Sequence, residues 1–165
     1  MSRRPIQIAD TDATGDDATA GAGRSLELIA LLHRRQAEMY AGGPMGPVAD
    51  LLADDVVWHV GGDSPIAGEI RGWDAVLQSF AARRELSRET LRIYPEEVVA
   101  ASREVVVQVV EGAMSLDRET ISWRSVGLYR VECGRVREAR LVPLDLKLFD
   151  RTWTALDRMG SGRRR

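Results

Sequence analysis

Asp145 is the residue with the strongest claim to chemistry. It follows Leu141-Val142-Pro143-Leu144 at the end of a β-rich run, and strict alternation sets Leu141, Pro143 and Asp145 on one face. A carboxylate there would stand at the rim of, or inside, an apolar cavity, where desolvation raises its pKa and suits it to general acid or base work. The same residue immediately precedes the run Leu146-Lys147-Leu148-Phe149, where aspartate caps a helix, so both roles are open to it. Trp58, Val60, Trp123 and Ser125 alternate onto the inner faces of two predicted strands. With Tyr40, Phe80 and Phe149 they are the candidate substrate-binding walls. Core packing is the simpler account of any one of these aromatics, yet as a set they suit an apolar, ring-bearing ligand.

Several chemistries are excluded or disfavoured. A single cysteine, Cys133, forms no internal disulfide, and two histidines, His33 and His59, without a second cysteine make no common structural zinc site, so neither metal nor cofactor is expected. His59 follows Trp58 and so points away from the cavity, toward an interface or solvent, as does Arg124 after Trp123. His33 reads as structural or solvated. Gly61-Gly62-Asp63-Ser64 lacks any phosphate-loop or dinucleotide signature and reads as a loop gating the cavity mouth. The formal net charge of −2 argues against a nucleic-acid binder. No apolar stretch approaches the roughly 20 residues of a membrane span or resembles a signal peptide, so a cytoplasmic protein without membrane attachment is expected.

The elements that must position these residues follow from periodicity. Residues 1–24, rich in Ala, Asp, Gly and Thr, predict a disordered tail, as do residues 158–165. The domain spans residues 25–157. Leu28, Leu31, Leu32, Arg35 and Met39 predict a helix from Ser25 to the Gly42-Gly43-Pro44 stop. A short helix over residues 47–52, a strand over 56–60, a loop over 61–72 and a helix opening at Trp73, its signal fading after Arg83-Arg84-Glu85, come next. Strands are predicted over residues 91–99, 104–115, 119–131 and 136–145, with Glu132-Cys133-Gly134-Arg135 as a tight turn, and residues 146–157 close the chain as a helix. Helices first and long antiparallel strands second indicate an α+β fold, a curved antiparallel sheet wrapped around N-terminal helices into a cone. Val105-Val106-Val107-Gln108-Val109-Val110 is apolar at both parities, so both faces of that strand should be covered, the outer one by a second subunit.

Three segments carry a family resemblance: Leu51-Leu52-Ala53-Asp54-Asp55-Val56-Val57-Trp58-His59, Gly68-Glu69-Ile70-Arg71-Gly72-Trp73-Asp74-Ala75-Val76, and Gly127-Leu128-Tyr129-Arg130-Val131 with Gly134-Arg135-Val136. In this order they resemble the SnoaL-like branch of the nuclear transport factor 2-like superfamily. The resemblance implies a cystatin-like α+β barrel, usually a homodimer joined through the sheet. Its members include polyketide cyclases, ketosteroid isomerases, limonene epoxide hydrolases and proteins without catalysis, so the fold does not choose the function.

The segment from Leu144 to Phe149 is similar to the one that carries a catalytic aspartate in limonene epoxide hydrolases and SnoaL-type cyclases. An epoxide hydrolase of this kind also needs a second carboxylate and a bridging arginine. The matching strand offers Gln108, Val109, Val110 and Glu111, so Glu111 is the candidate second acid and the arginine is missing. A ketosteroid isomerase would need acids where Trp58, Val60, Trp123, Ser125 and Gly127 stand. The expected function is cofactor-free acid/base chemistry through Asp145 on an apolar polyketide- or terpenoid-like substrate: cyclisation, isomerisation or epoxide opening. The alternatives are a non-catalytic binder with the same cavity and an interaction module using the sheet face.

Overall fold

The computed structural model describes residues 15–161. Helix α1 (Gly15–Tyr40) buries Gly21, Ser25, Ile29, Leu32, His33, Gln36, Met39 and Tyr40, a stripe repeating every three to four residues. It begins well before Ser25, so residues 15–24 correct the expected tail, whose first 14 residues lie outside the described residues. Small residues make this extension possible. Gly21 lies against the Arg103 side chain, and the Ser25 hydroxyl donates to the Arg103 carbonyl at 2.6 Å, so the helix docks closely on a hairpin turn without large apolar groups. Gly23, by contrast, has open space around its Cβ position. Gly23→Ala should therefore stabilise the protein by about 0.5–1 kcal/mol, measured by urea unfolding.

A single turn, α2 (Gly46–Ala49), leads into β1 (Leu52–Val60), which starts earlier than the predicted strand. β2 (Gly68–Arg71) occupies part of the predicted loop and pairs with residues 57–60 of β1. α3 (Trp73–Leu86) continues through Arg83 and Arg84. β3 (Arg92–Ala101), β4 (Val105–Leu116), β5 (Glu119–Glu132) and β6 (Arg135–Pro143) form antiparallel hairpins, and α4 (Leu146–Ser161) closes the fold. α4 extends past residue 157, which corrects the start of the expected C-terminal tail; residues 162–165 lie outside the described residues.

The strand order is β2-β1-β6-β5-β4-β3, an α+β sheet left open at β2 and β3. One feature departs from the expected all-antiparallel sheet: β1 and β6 run parallel, with Trp58 beside Ala139 and Val60 beside Leu141. This pairing lets strands far apart in sequence share one inner face. Val56, Trp58 and Val60 of β1, Val106, Gln108 and Val110 of β4, Trp123, Ser125 and Tyr129 of β5, and Val136 and Ala139 of β6 are all buried there. Among the described residues no helix is long and apolar enough to cross a membrane.

Candidate ligand-binding site

Helices α1 and α3 close the inner face of the sheet with aromatic rings. Phe80 of α3 meets Trp58 edge-on at 4.8 Å and Tyr40 of α1 at 6.1 Å between ring centroids. Trp123 of β5 meets Phe149 and Trp153 of α4 at 5.5 and 6.0 Å. The predicted walls thus fall into two clusters, Tyr40, Trp58 and Phe80 in one and Trp123 and Phe149 in the other; Val60 and Ser125 are buried on the same sheet face.

Polar groups interrupt this interior. The His33 Nε2 and the Tyr129 hydroxyl are 3.0 Å apart, while His33 Nδ1 and Trp58 Nε1 have no hydrogen-bond partner among the described residues. Burial holds His33 down to about 4 and pushes the Tyr129 phenol above its ordinary value, so both are neutral at pH 7. Arg83 is only 6% exposed, and its guanidinium carbon lies 5.4 Å from the Phe80 ring centre. Among the described residues its Nε and Nη2 have no partner and no carboxylate forms an ion pair with it. Burial lowers the Arg83 pKa, offset in part by the neighbouring Tyr40 hydroxyl; burial likewise raises Tyr40, against the opposing pull of Arg83.

Two expected acids lie elsewhere. Asp145 is exposed beyond the end of β6, where its Oδ1 accepts from the Leu148 N–H at 2.9 Å and its carbonyl accepts from Phe149. It is the N-cap of α4. The alternation inferred through Pro143 stops with the strand, so the apolar hollow expected behind Asp145 is not where its side chain stands. Asp145→Ala should cost about 1 kcal/mol in urea unfolding, with Asp145→Asn close to wild type because asparagine also caps. Glu111 is half-buried on the outer sheet face, beside Tyr94 and Arg124 in the register, because it follows inward-facing Val110. It is therefore corrected as a second acid in the cavity. His59 and Arg124 face outward as expected, Arg124 pairing with Glu96 at 2.7 Å.

The Gly61-Gly62-Asp63-Ser64 loop is tied down by Asp150 of α4, whose carboxylate accepts from the Asp63 and Ser64 N–H groups at 2.9–3.0 Å. A groove of about 1040 Å³ lies between α1 and the β3–β4 and β5–β6 turns, and a second of about 430 Å³ lies on the outer sheet face beside β1 and β2. Neither is lined by Trp58, Trp123 or Asp145.

The fold is shared with known proteins. Residues 33–139 match the SnoaL-like domain family. The chain belongs to that family. The SnoaL-like family includes cyclases and isomerases, and its fold houses small-molecule-binding proteins. Bal32a, from a soil-derived mobile gene cassette, superposes with a TM-score of 0.70 at 22% identity, over 81% of this chain and 98% of that one. A Rhodopseudomonas palustris protein described provisionally as an isomerase gives 0.65 at 19% identity, over 76% and 95% of the two chains. TerC co-crystallised with polyporic acid gives 0.65 at 15%, over 80% and 98%. At these identities the likeness establishes the fold alone. No curated protein matches the chain.

The residues that sequence reasoning missed are Arg83, Gln36 and the His33–Tyr129 pair. Arg83 had a readable signal: it falls three residues after Phe80, on the stripe that also carries Val76.

Proposed function

We propose that this SnoaL-like protein binds a small, largely apolar molecule inside the barrel, a ring-bearing compound of polyketide or terpenoid type. The observation that carries the reading is the Trp58 indole N–H, buried without a partner amid aromatic rings. A buried donor left unpaired costs about 1–3 kcal/mol, and a ligand oxygen would remove that cost while the rings take up its apolar body. In an NMR titration with a monoterpene alcohol, a naphthol and a steroid ketone, the Trp58 indole signal should shift saturably with at least one of them. Trp58→Phe should weaken that binding about tenfold. Absence of any response across the panel would remove the reading.

Cofactor-free cyclisation, isomerisation or epoxide opening is the second reading, supported by the company of cyclases and isomerases in the family. The buried pair best placed to move a proton is His33 and Tyr129. Burial lowers His33 and raises Tyr129, so the imidazole is a poor base and the phenol a poor acid, and their proton affinities are mismatched. That mismatch favours binding over acid/base catalysis by this pair.

The proposal includes a homodimer. On the outer face Val109, Val126 and Val142 align across three strands, with Val107 beside Leu128, and Val142 is 51% exposed. Val126→Glu should turn a dimer into a monomer in light scattering; a wild-type monomer would defeat this part. The exposed free thiol of Cys133 suits a reducing compartment, in keeping with a cytoplasmic site of action.

A further inference from the structure

Arg83 is hard to explain as a packing residue. A guanidinium taken out of water without a counter-ion costs roughly several kcal/mol, and cores ordinarily replace such a group with a hydrocarbon of similar volume. Its two unpartnered nitrogens are not an arbitrary pair. Nε and Nη2 form one edge of the planar fork, with their N–H bonds pointing the same way. That edge matches the two oxygens of a carboxylate, which takes two parallel charge-assisted hydrogen bonds from it. Phe80 lies beneath the guanidinium, and the Tyr40 hydroxyl neighbours it.

We propose that the ligand of this interior carries a carboxylate, held in two-pronged fashion on the free Nε and Nη2 edge of Arg83. The inference rests on the small-ligand reading above and adds the ligand's charge class. One buried cation with one open edge balances one monoanion. A phosphate would bring more charge and more acceptor oxygens than this single fork satisfies. The apolar body of the ligand packs among Phe80, Tyr40 and Trp58, and the unpaired Trp58 N–H is a further donor in the same cluster.

The test uses the full chain and two matched sets of probes: benzoate, 2-naphthoate and cyclohexanecarboxylate, and the primary amides of the same three acids. Binding is followed by thermal shift and by the Trp58 indole NMR signal. At least one carboxylate should raise the unfolding temperature of the wild type and bind at least tenfold more tightly than its amide. Arg83→Met should abolish that preference. Arg83→Lys, which keeps the charge and loses the fork, should bind the carboxylate at least tenfold more weakly than wild type and serves if the methionine variant does not fold. Amides and acids binding alike to wild type, or an acid binding undiminished to either variant, would overturn the carboxylate assignment and leave the small-ligand reading standing. No response to either set, together with none to the neutral ring panel, would overturn both.

Discussion

Gly127→Ala is expected to destabilise the protein by about 3 kcal/mol, far more than an exposed strand glycine would. A Cβ at this position would stand 2.6 Å from the Tyr129 hydroxyl and 2.7 and 2.8 Å from two of its ring carbons, because the phenol lies flat across the backbone of its own strand. Overpacking of this kind costs about 1–3 kcal/mol. Moving the ring aside also breaks the bond between Tyr129 and His33, leaving two buried polar groups unpaired at about 1–3 kcal/mol. Urea unfolding checks the magnitude. A cost under about 1 kcal/mol would show that the strand shifts to admit the methyl group, and the Tyr129 position would then be less fixed than the packing implies.

The same close approach explains which parts of the fold were legible from sequence. Hairpins were, because their turns carry local signatures: Asp117-Arg118 and Cys133-Gly134 adopt positive φ at both central positions, and the second pair was read directly as a turn. Inward parity on β1 and β5 was also legible, since Trp58, Val60, Trp123 and Ser125 alternate without interruption. Helix ends were not. The first ten described residues of α1 have the composition of a solvated segment, and the contacts that Gly21 and Asp17 make with Arg103, some 80 positions away, are not visible in local sequence. The parallel pairing of β1 with β6 is likewise a long-range choice with no local mark.

The site was less legible, for a related reason. Hydrophobic periodicity places the inner stripe of α1 on Leu28, Leu31, Leu32, Arg35 and Met39; Leu32 and Met39 are indeed buried, but Leu28, Leu31 and Arg35 are only half-buried, and the rest of the buried stripe is Ile29, His33, Gln36 and Tyr40. A count of apolar residues rotates the helix away from its polar interior positions. Of the most informative interior residues, His33 reads as structural or solvated and Arg83 only marks where the helical signal fades, because charged and titratable side chains are mostly exposed and their type alone does not reveal burial. Asp145 shows the converse: a carboxylate between a strand and an apolar run reads equally as chemistry or as a cap, and its bond to the Leu148 N–H shows it capping the helix.

Acidification should expose the cost of that polar interior. His33 titrates at about 4 in the folded protein against 6.5 when unperturbed, because burial disfavours the imidazolium. Below pH 6.5 the unfolded chain takes up a proton that the folded chain refuses, so this contribution to stability is complete above 6.5 and declines as pH falls toward 4. Below about 4 both states carry the proton and the loss stops growing. The full difference is about 3 kcal/mol. Carboxylates titrate in the lower part of the same range, so the measurement is a comparison: wild type and His33→Gln, unfolded in urea at pH 7.5, 5.5 and 4. Glutamine does not titrate, and its amide offers the Tyr129 hydroxyl an alternative partner. The stability of wild type relative to His33→Gln should fall by about 3 kcal/mol between pH 7.5 and 4, with roughly 1 kcal/mol of that already lost by 5.5. A constant difference across the three pH values would mean that the imidazole is free to protonate in the folded state, and the burial of His33 as a neutral group would have to be given up.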